Sequence, residues 1–478
     1  MIFLIVTACK KLEDLNKNIK DPTKVSGESL FTGAQLNLYD QMVTPNVNFN
    51  IFELISQYWT ECTYTDESNY DLWDRTIPDN HWDVLYRDVL KDLDEAGKVI
   101  KATDYPTDPS PAVKQNRLAI VDVLTVYTYM VLVETFGDVP YTQALDINNT
   151  QPKYDDGMTI YKDLISRLNN DVASMDATQG SLDLADNMYQ GNVASWIKFA
   201  NSLKLRMGLV LADADAALAK TTVEEAASNA GGLISSNAEN AKIVYLASQP
   251  NSNPIYDNLV ASGRHDFVPT SIMIDPMNNL NDPRRPFYFT LIDTSAGGTG
   301  QMAYVGGVYG LSNDFTKYSH VADKIQEPTF ESILLDYAET EFLLATAAER
   351  GFTVTGTAEE HYNNGIKASI NYWGGTDADA TAYLAQTGVA YTTASGTYKE
   401  KIGVQMWYAL YLRGFEAWTF FRLYDYPQLV APPDALSEFP VRLTFPIEEQ
   451  TLNGANYKAA STAVGGDEVK IKLFWDKN

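Results

Sequence analysis

From Gln405 to Leu429 the chain reads QMWYALYLRGFEAWTFFRLYDYPQL. Trp407 and Trp418 stand at helical spacing inside a pattern that runs from Glu400 to Leu423. The pattern predicts one long amphipathic helix whose rings turn toward a core.

Its neighbours are helical as well. Phe330 to Arg350 (FESILLDYAETEFLLATAAER) is a predicted helix closed by Gly351, and Ala358 to Trp373 is one closed by Gly374. Ala338, Ala345, Ala347 and Ala348 let such helices approach closely. Toward the N-terminus, helices are predicted over Ser29 to Val43, Trp82 to Ile100, Asn116 to Thr135 (stopped by Gly137 to Pro140), Tyr161 to Met175 and Asn192 to Ala212. A short one is predicted to start at an N-cap in Thr222-Val223-Glu224-Glu225 and to end at Gly231-Gly232. Between about 240 and 327 the helical period fades into Pro, Gly, Asn and Tyr, which predicts loops with short strands inserted between helical blocks. The tail from Phe439 is turn-rich, with a strand predicted at Glu468 to Phe474. The fold class is mostly α: tetratricopeptide-like helix pairs form a framework that carries an irregular ligand-binding part. No clean repeat of about 34 residues is readable.

With 62 acidic and 36 basic residues the chain carries a net charge of −26, a field that repels phosphate backbones and excludes nucleic-acid binding. Only two cysteines occur, too few for a disulfide framework or a cysteine zinc site. Cys62, in Glu61-Cys62-Thr63-Tyr64, reads as a small buried hydrophobe. Cys9 follows the apolar run Ile2 to Ala8, and Val6-Thr7-Ala8-Cys9 resembles the bacterial lipobox, although no basic residue precedes the run. The expected organisation is a signal remnant over 1–9 with Cys9 as the lipidation site, a polar tether over 10–28 and one domain over 29–478. Leu118 to Val133 is interrupted by Asp122, Thr125 and Thr128 and falls short of about twenty residues, so it reads as a buried helix and not a membrane span.

Catalytic signatures are missing: there is no phosphate-binding loop, no H-E-x-x-H and no G-x-S-x-G. His81, His265, His320 and His361 never fall at metal-ligand spacing, and Asp183 to Asn187 lacks the glycine and terminal glutamate of an EF-hand loop. No metal and no cofactor is expected. The acid pairs Asp66 with Glu67, Glu339 with Glu341 and Glu448 with Glu449 read as solvated or capping residues.

Two blocks carry a family resemblance. Gln405, Trp407, Gly414, Glu416, Ala417, Trp418, Arg422, Tyr426 and Pro427, followed by Arg442, Pro446, Glu449 and Asn453, resemble the C-terminal signatures of the SusD/RagB family of bacterial surface lipoproteins. Glu134 to Tyr141 (ETFGDVPY), Asn281-Asp282-Pro283-Arg284, Tyr337-Ala338-Glu339 and Tyr362 to Ile366 resemble further blocks of that family, in order along the chain. The pattern is closer to the subgroup often labelled SusD-like 2 than to the starch-binding prototype. The resemblance implies a non-enzymatic outer-membrane lipoprotein that captures oligosaccharides, in some members peptides, and delivers them to a SusC-like TonB-dependent porin. Two other classes remain: a glycoside hydrolase with a helical core, which needs two acids about five to ten ångströms apart in a cleft, and a helical-repeat scaffold for protein partners.

A sugar presents an apolar C–H face to Trp or Tyr and hydroxyls to Asn, Asp or Arg, and two segments offer that mixture. They are Tyr58 to Trp82 and Gln301 to Tyr318. Tyr58, Trp59 and Trp82 read as helix-closing core residues. Tyr70 and Trp73, among Asn69, Asp71 and Arg75, are the ring candidates expected to be least easily buried, with Tyr304 and Tyr309 from the second segment.

Overall fold

The computed structural model describes residues 25–103, 111–295 and 300–477. Cys9 and the tether up to Lys24 lie outside the described residues. Helices pair in chain order as their apolar stripes require. Gly27–Val43 packs on Lys91–Ala102, which packs on Pro111–Phe136, and that helix packs on Gly157–Ser174. Val193–Val210 lies against Ala216–Ser228, and Tyr337–Glu349 lies against both Ala358–Trp373 and Tyr398–Ala409. The molecule is mostly helical, with tetratricopeptide-like pairs. Pro111–Phe136 is the one described helix long and apolar enough to cross a bilayer, and it is mostly buried in the core.

Local chemistry sets most helix starts. Asn192 accepts from the Ser195 amide, Asp156 from Thr159, and Thr357 with Glu360 forms a capping box. The predicted cap at Thr222 is corrected: Asp215 caps Ala216–Ser228, and Thr222 is buried within that helix near Gly208.

Three further expectations yield to tertiary structure. Phe330 to Arg350 is not one helix. Glu331–Leu335 is a strand paired antiparallel with Ala241–Val244, and only Tyr337–Glu349 is helical, capped by Asp336. Glu468 to Phe474 forms no strand; Val469 instead accepts backbone bonds from Val441 and Arg442 at 2.8 and 3.1 Å. The long helix over Glu400 to Leu423 breaks into Tyr398–Ala409 and Gly414–Tyr424. At the break the backbone of Phe52–Ile55 passes close to Gly414: a Cβ there would stand 2.5 Å from Glu53 N. Leu412 turns to φ 69°, and Arg413 swings into the core.

There Arg413 meets Glu339, which is also held by Arg206 through Nε at 2.6 Å and Nη2 at 2.8 Å. Both arginines also donate to Leu334 O at 3.0 Å, and Arg413 lies 3.2 Å from Asp336. Glu339 is therefore fully buried and paired, not solvated as expected. Glu341 is likewise buried, with His361 Nδ1 2.6 Å away, and Glu67 is buried against Arg75. Burial pushes the Glu339 carboxyl up, but Arg206 and Arg413 outweigh it and hold it below the ordinary glutamate range. With a depressed folded value, its contribution is present above that range and is lost as pH falls through the folded value. Glu339→Gln strands two buried guanidiniums and is expected to cost about 3–5 kcal/mol in denaturant unfolding at neutral pH. The deficit is expected to shrink on acidification.

Candidate functional site

The ligand-facing part grows from one short strand. Trp59–Glu61 pairs antiparallel with Phe267–Pro269, placing Glu61 opposite Phe267. Past the ladder, Cys62 N donates to Asp266 O at 2.7 Å. The other edge holds the loop 307–313: Gly310 N donates to Thr60 Oγ1 at 3.1 Å and Asn313 N to Cys62 O at 2.8 Å. Asn313 closes that loop on itself by donating to Leu311 O and Val308 O. The second aromatic-polar segment singled out in the sequence thus lies along one edge of a strand that belongs to the first, with Phe267–Pro269 on the other edge.

Asn69 ties them together. Its side chain donates to Gly310 O at 2.7 Å, and its own carbonyl receives Leu436 N from a third loop, 430–437. Gly310 has φ +73°, and a Cβ there would come within 2.4 Å of Pro432, so only glycine lets the loops close this tightly.

The rings divide by burial. Tyr70, expected to be exposed, is fully buried; its ring packs against Tyr309 and Phe439, and its hydroxyl receives Gln57 Nε2 at 3.0 Å. Tyr309 is buried too and donates to Leu54 O at 2.7 Å. Asn69, Tyr70 and Tyr309 therefore hold the loops in place and offer no ligand face, because each finds its polar partner inside the protein. Trp73 is 41% exposed and Tyr64 69%, with Asp71 supporting the Trp73 turn by accepting from the Trp73 and Asp74 amides. Arg75 stays exposed while bonded to Glu67. Tyr304 is apart from these, half-buried beside Arg285 and Phe289.

Sequence reasoning missed the second half of the face. Arg264 pairs with Asp266 at 2.6 Å, and the exposed His265 ring meets Phe315 with centroids 4.4 Å apart. Phe315 stacks in turn on His320 at 3.8 Å and 11°. These residues, with Phe267 and Gln326, line a cavity of about 340 Å³. A smaller hollow lined by Glu61, Tyr64 and Arg75 adjoins it, with Arg264, Asp266 and Phe267 common to both linings. Phe315 lay inside the segment Gln301 to Tyr318, and the polar triplet Arg264-His265-Asp266 after Gly263 was the other sequence signal.

Beneath Tyr64, Glu61 faces Glu67. Burial and the Glu67 carboxylate push Glu61 well up, so it holds a proton, while Ser68 N donates to its Oε2 at 2.8 Å. The residues here combine flat rings with cationic, anionic and amide groups, which suits a ligand having C–H faces and hydroxyls. Among the described residues no cluster of three or more His, Cys, Asp or Glu is placed to hold a metal.

The SusD-like profile described as starch-binding and associating with the outer membrane matches residues 18–446. The chain belongs to the SusD-like family. Among solved structures, this SusD-like chain is similar to a chitin-binding protein at 25% identity and TM-score 0.81, over 95% of this chain and all of that one. It is also similar to a SusD homologue from Bacteroides uniformis at 27% identity and TM-score 0.77, over 94% and 99%. A chitin-binding SusD homologue from Flavobacterium johnsoniae shares the fold at 24% identity and TM-score 0.77, over 94% and 99%. No curated protein matches. The SusD-like signature residues are framework: Gln405, Trp407, Glu416, Trp418, Arg422, Arg442 and Asn453 are all buried.

Because Glu61 has a raised folded value, the stability it lends the loop is complete at acid pH and is lost as pH rises through that value. After correction for intrinsic rates, hydrogen exchange of the 61–75 amides is expected to accelerate at alkaline pH in the parent. In Glu61→Gln, which mimics the protonated form, it is expected to stay flat.

Proposed function

We propose that this chain is a cell-surface carbohydrate-binding lipoprotein, anchored through Cys9, that captures oligosaccharide at the face described above. It then delivers the ligand to a SusC-like TonB-dependent transporter in the outer membrane and performs no chemistry on it. The observation that carries the reading is the pairing of the exposed Trp73 and Tyr64 rings and the half-buried Phe315–His320 stack with Arg75, Arg264 and Asp266 on loops held around one strand. Family membership and the chitin-binding neighbour support a glycan over a peptide. Family membership also favours a binding role over hydrolysis. Within the predicted ligand set, Trp73, Asp71 and Arg75 keep ligand or rim roles, and Asn69, Tyr70 and Tyr309 become the supports beneath them.

On a glycan array the soluble protein is expected to retain oligosaccharides. Trp73→Ala and Phe315→Ala are each expected to weaken the best ligand by about 1–2 kcal/mol, roughly five- to thirtyfold, with unfolding unchanged. Unaltered affinity in both variants would sink the platform assignment. Cys9→Ala is expected to move the protein from the membrane fraction to the soluble one, and persistent membrane partition would refute the anchor.

A further inference from the structure

A second concave surface shares no lining residue with the loop face. It is a groove of about 700 Å³ between Lys91–Ala102, Pro111–Phe136 and Gly157–Ser174, with Leu145 at its edge. In its lining, Asp171 is 8% exposed, and its Oδ2 has no hydrogen-bond partner. The Asp171 carboxyl faces that of Asp122. Arg167 grips Asp122 through Nε at 3.1 Å and through Nη2, and donates Nη1 to the Tyr141 hydroxyl at 2.7 Å. The guanidinium is thus committed to Asp122 and Tyr141, and Asp171 receives no direct cation.

The other charges facing the groove are paired elsewhere or stand at its mouth. Lys98 and Lys91 both reach Asp94, at 2.6 and 3.1 Å, and Tyr141 donates its hydroxyl to Asp163. Lys101 stands exposed at the mouth. Burial and the Asp122 charge raise the Asp171 value, so in the empty groove Asp171 holds a proton toward Asp122. Beside the acids, the rings of Tyr129 and Tyr141 meet edge to face at 4.8 Å, and Gln115 and Thr125 add polar groups.

We propose that this groove is a second binding site, for a small ligand presenting a primary ammonium beside an apolar or hydroxylated frame, with Asp171 and Asp122 as the ammonium's anchor. An ammonium has three donors and displaces the shared proton, converting one neutral hydrogen bond into charge-assisted ones. A sugar hydroxyl leaves the proton in place and gains only an ordinary bond. The Arg167 guanidinium already seated on Asp122 opposes any added cation, a divalent ion about twice as strongly as a single ammonium charge. The volume suits a ligand of two or three sugar rings. An amino sugar and a lysine side chain share this ammonium chemistry.

Calorimetry on the intact protein tests it with three probes: the fully deacetylated glucosamine trisaccharide, its N-acetylated counterpart and a Gly-Lys-Gly tripeptide. Each is titrated in two buffers of different ionisation enthalpy at mildly acid pH, where both amines are ammonium and Asp171 still holds its proton. Binding of an amine probe with release of about one proton is expected, and the tighter of the two amines identifies the carrier. Asp171→Asn, whose amide still donates toward Asp122, is expected to weaken that binding about tenfold or more with unchanged melting. Gly97→Met fills the groove from a helix position where an added Cβ meets only Val121, at 3.9 Å, and is expected to block binding without touching the acids. Trp73→Ala is expected to leave amine binding intact, separating this site from the loop face. Binding of the acetylated trisaccharide that is as tight and as sensitive to the groove variants as that of the amines, no binding of either amine, or unchanged amine affinity in both groove variants overturns the proposal.

Discussion

The pairing of Arg206 and Arg413 on the buried Glu339 carboxylate ties together the helices that the rest of the fold is hung on. It joins Val193–Val210, Tyr337–Glu349 and the junction before Gly414–Tyr424, and through Leu334 O it fixes the end of the strand Glu331–Leu335. Such a network adds less net stability than its contacts suggest, since three charges leave water to form it. Its effect is geometric: removing either partner leaves a buried charge uncompensated, which disfavours arrangements that separate these elements.

That geometry reaches the loop face in a few steps. For Arg413 to meet Glu339 the aromatic helix must break, and the break presents Gly414 to the turn after Phe52–Ile55. Gly414 N donates to Glu53 and its carbonyl receives Ser56 Oγ at 2.9 Å, while Trp407 Nε1 donates to Ser56 O at 3.0 Å. Tyr58 stacks on Trp407, and the next residues are the strand Trp59–Glu61 from which the ligand loops are hung. Because strand and loops are fixed by backbone bonds and by Asn69, little order remains to be imposed on binding, which reduces the entropic cost of capture.

Family signatures and ligand chemistry occupy different residues. Arg422 lies over Trp418 with its guanidinium carbon 3.4 Å from the ring centroid, and Arg284 is sealed against Asp282; neither reaches solvent. Motifs of this kind identify the framework that positions a site. The candidate ligand rings Tyr64, Trp73 and Phe315 sit instead on loops, where no short pattern marks them.

The sequence by itself determined the helical class, most helix boundaries, the irregular insert and the burial of Trp59, Trp82, Trp407 and Trp418. These follow from apolar period, caps and breakers, all local or additive properties. Tertiary structure alone decided that Tyr70 and Tyr309 turn inward while Tyr64 and Trp73 stay out, that Glu331–Leu335 is a strand, and that the aromatic helix breaks at Arg413. It also assembled His265, Phe315 and His320 into one stack, and Asp122 with Asp171 into one pair. Each of these depends on a partner many residues away. A side chain's burial and protonation are set by what the fold brings beside it.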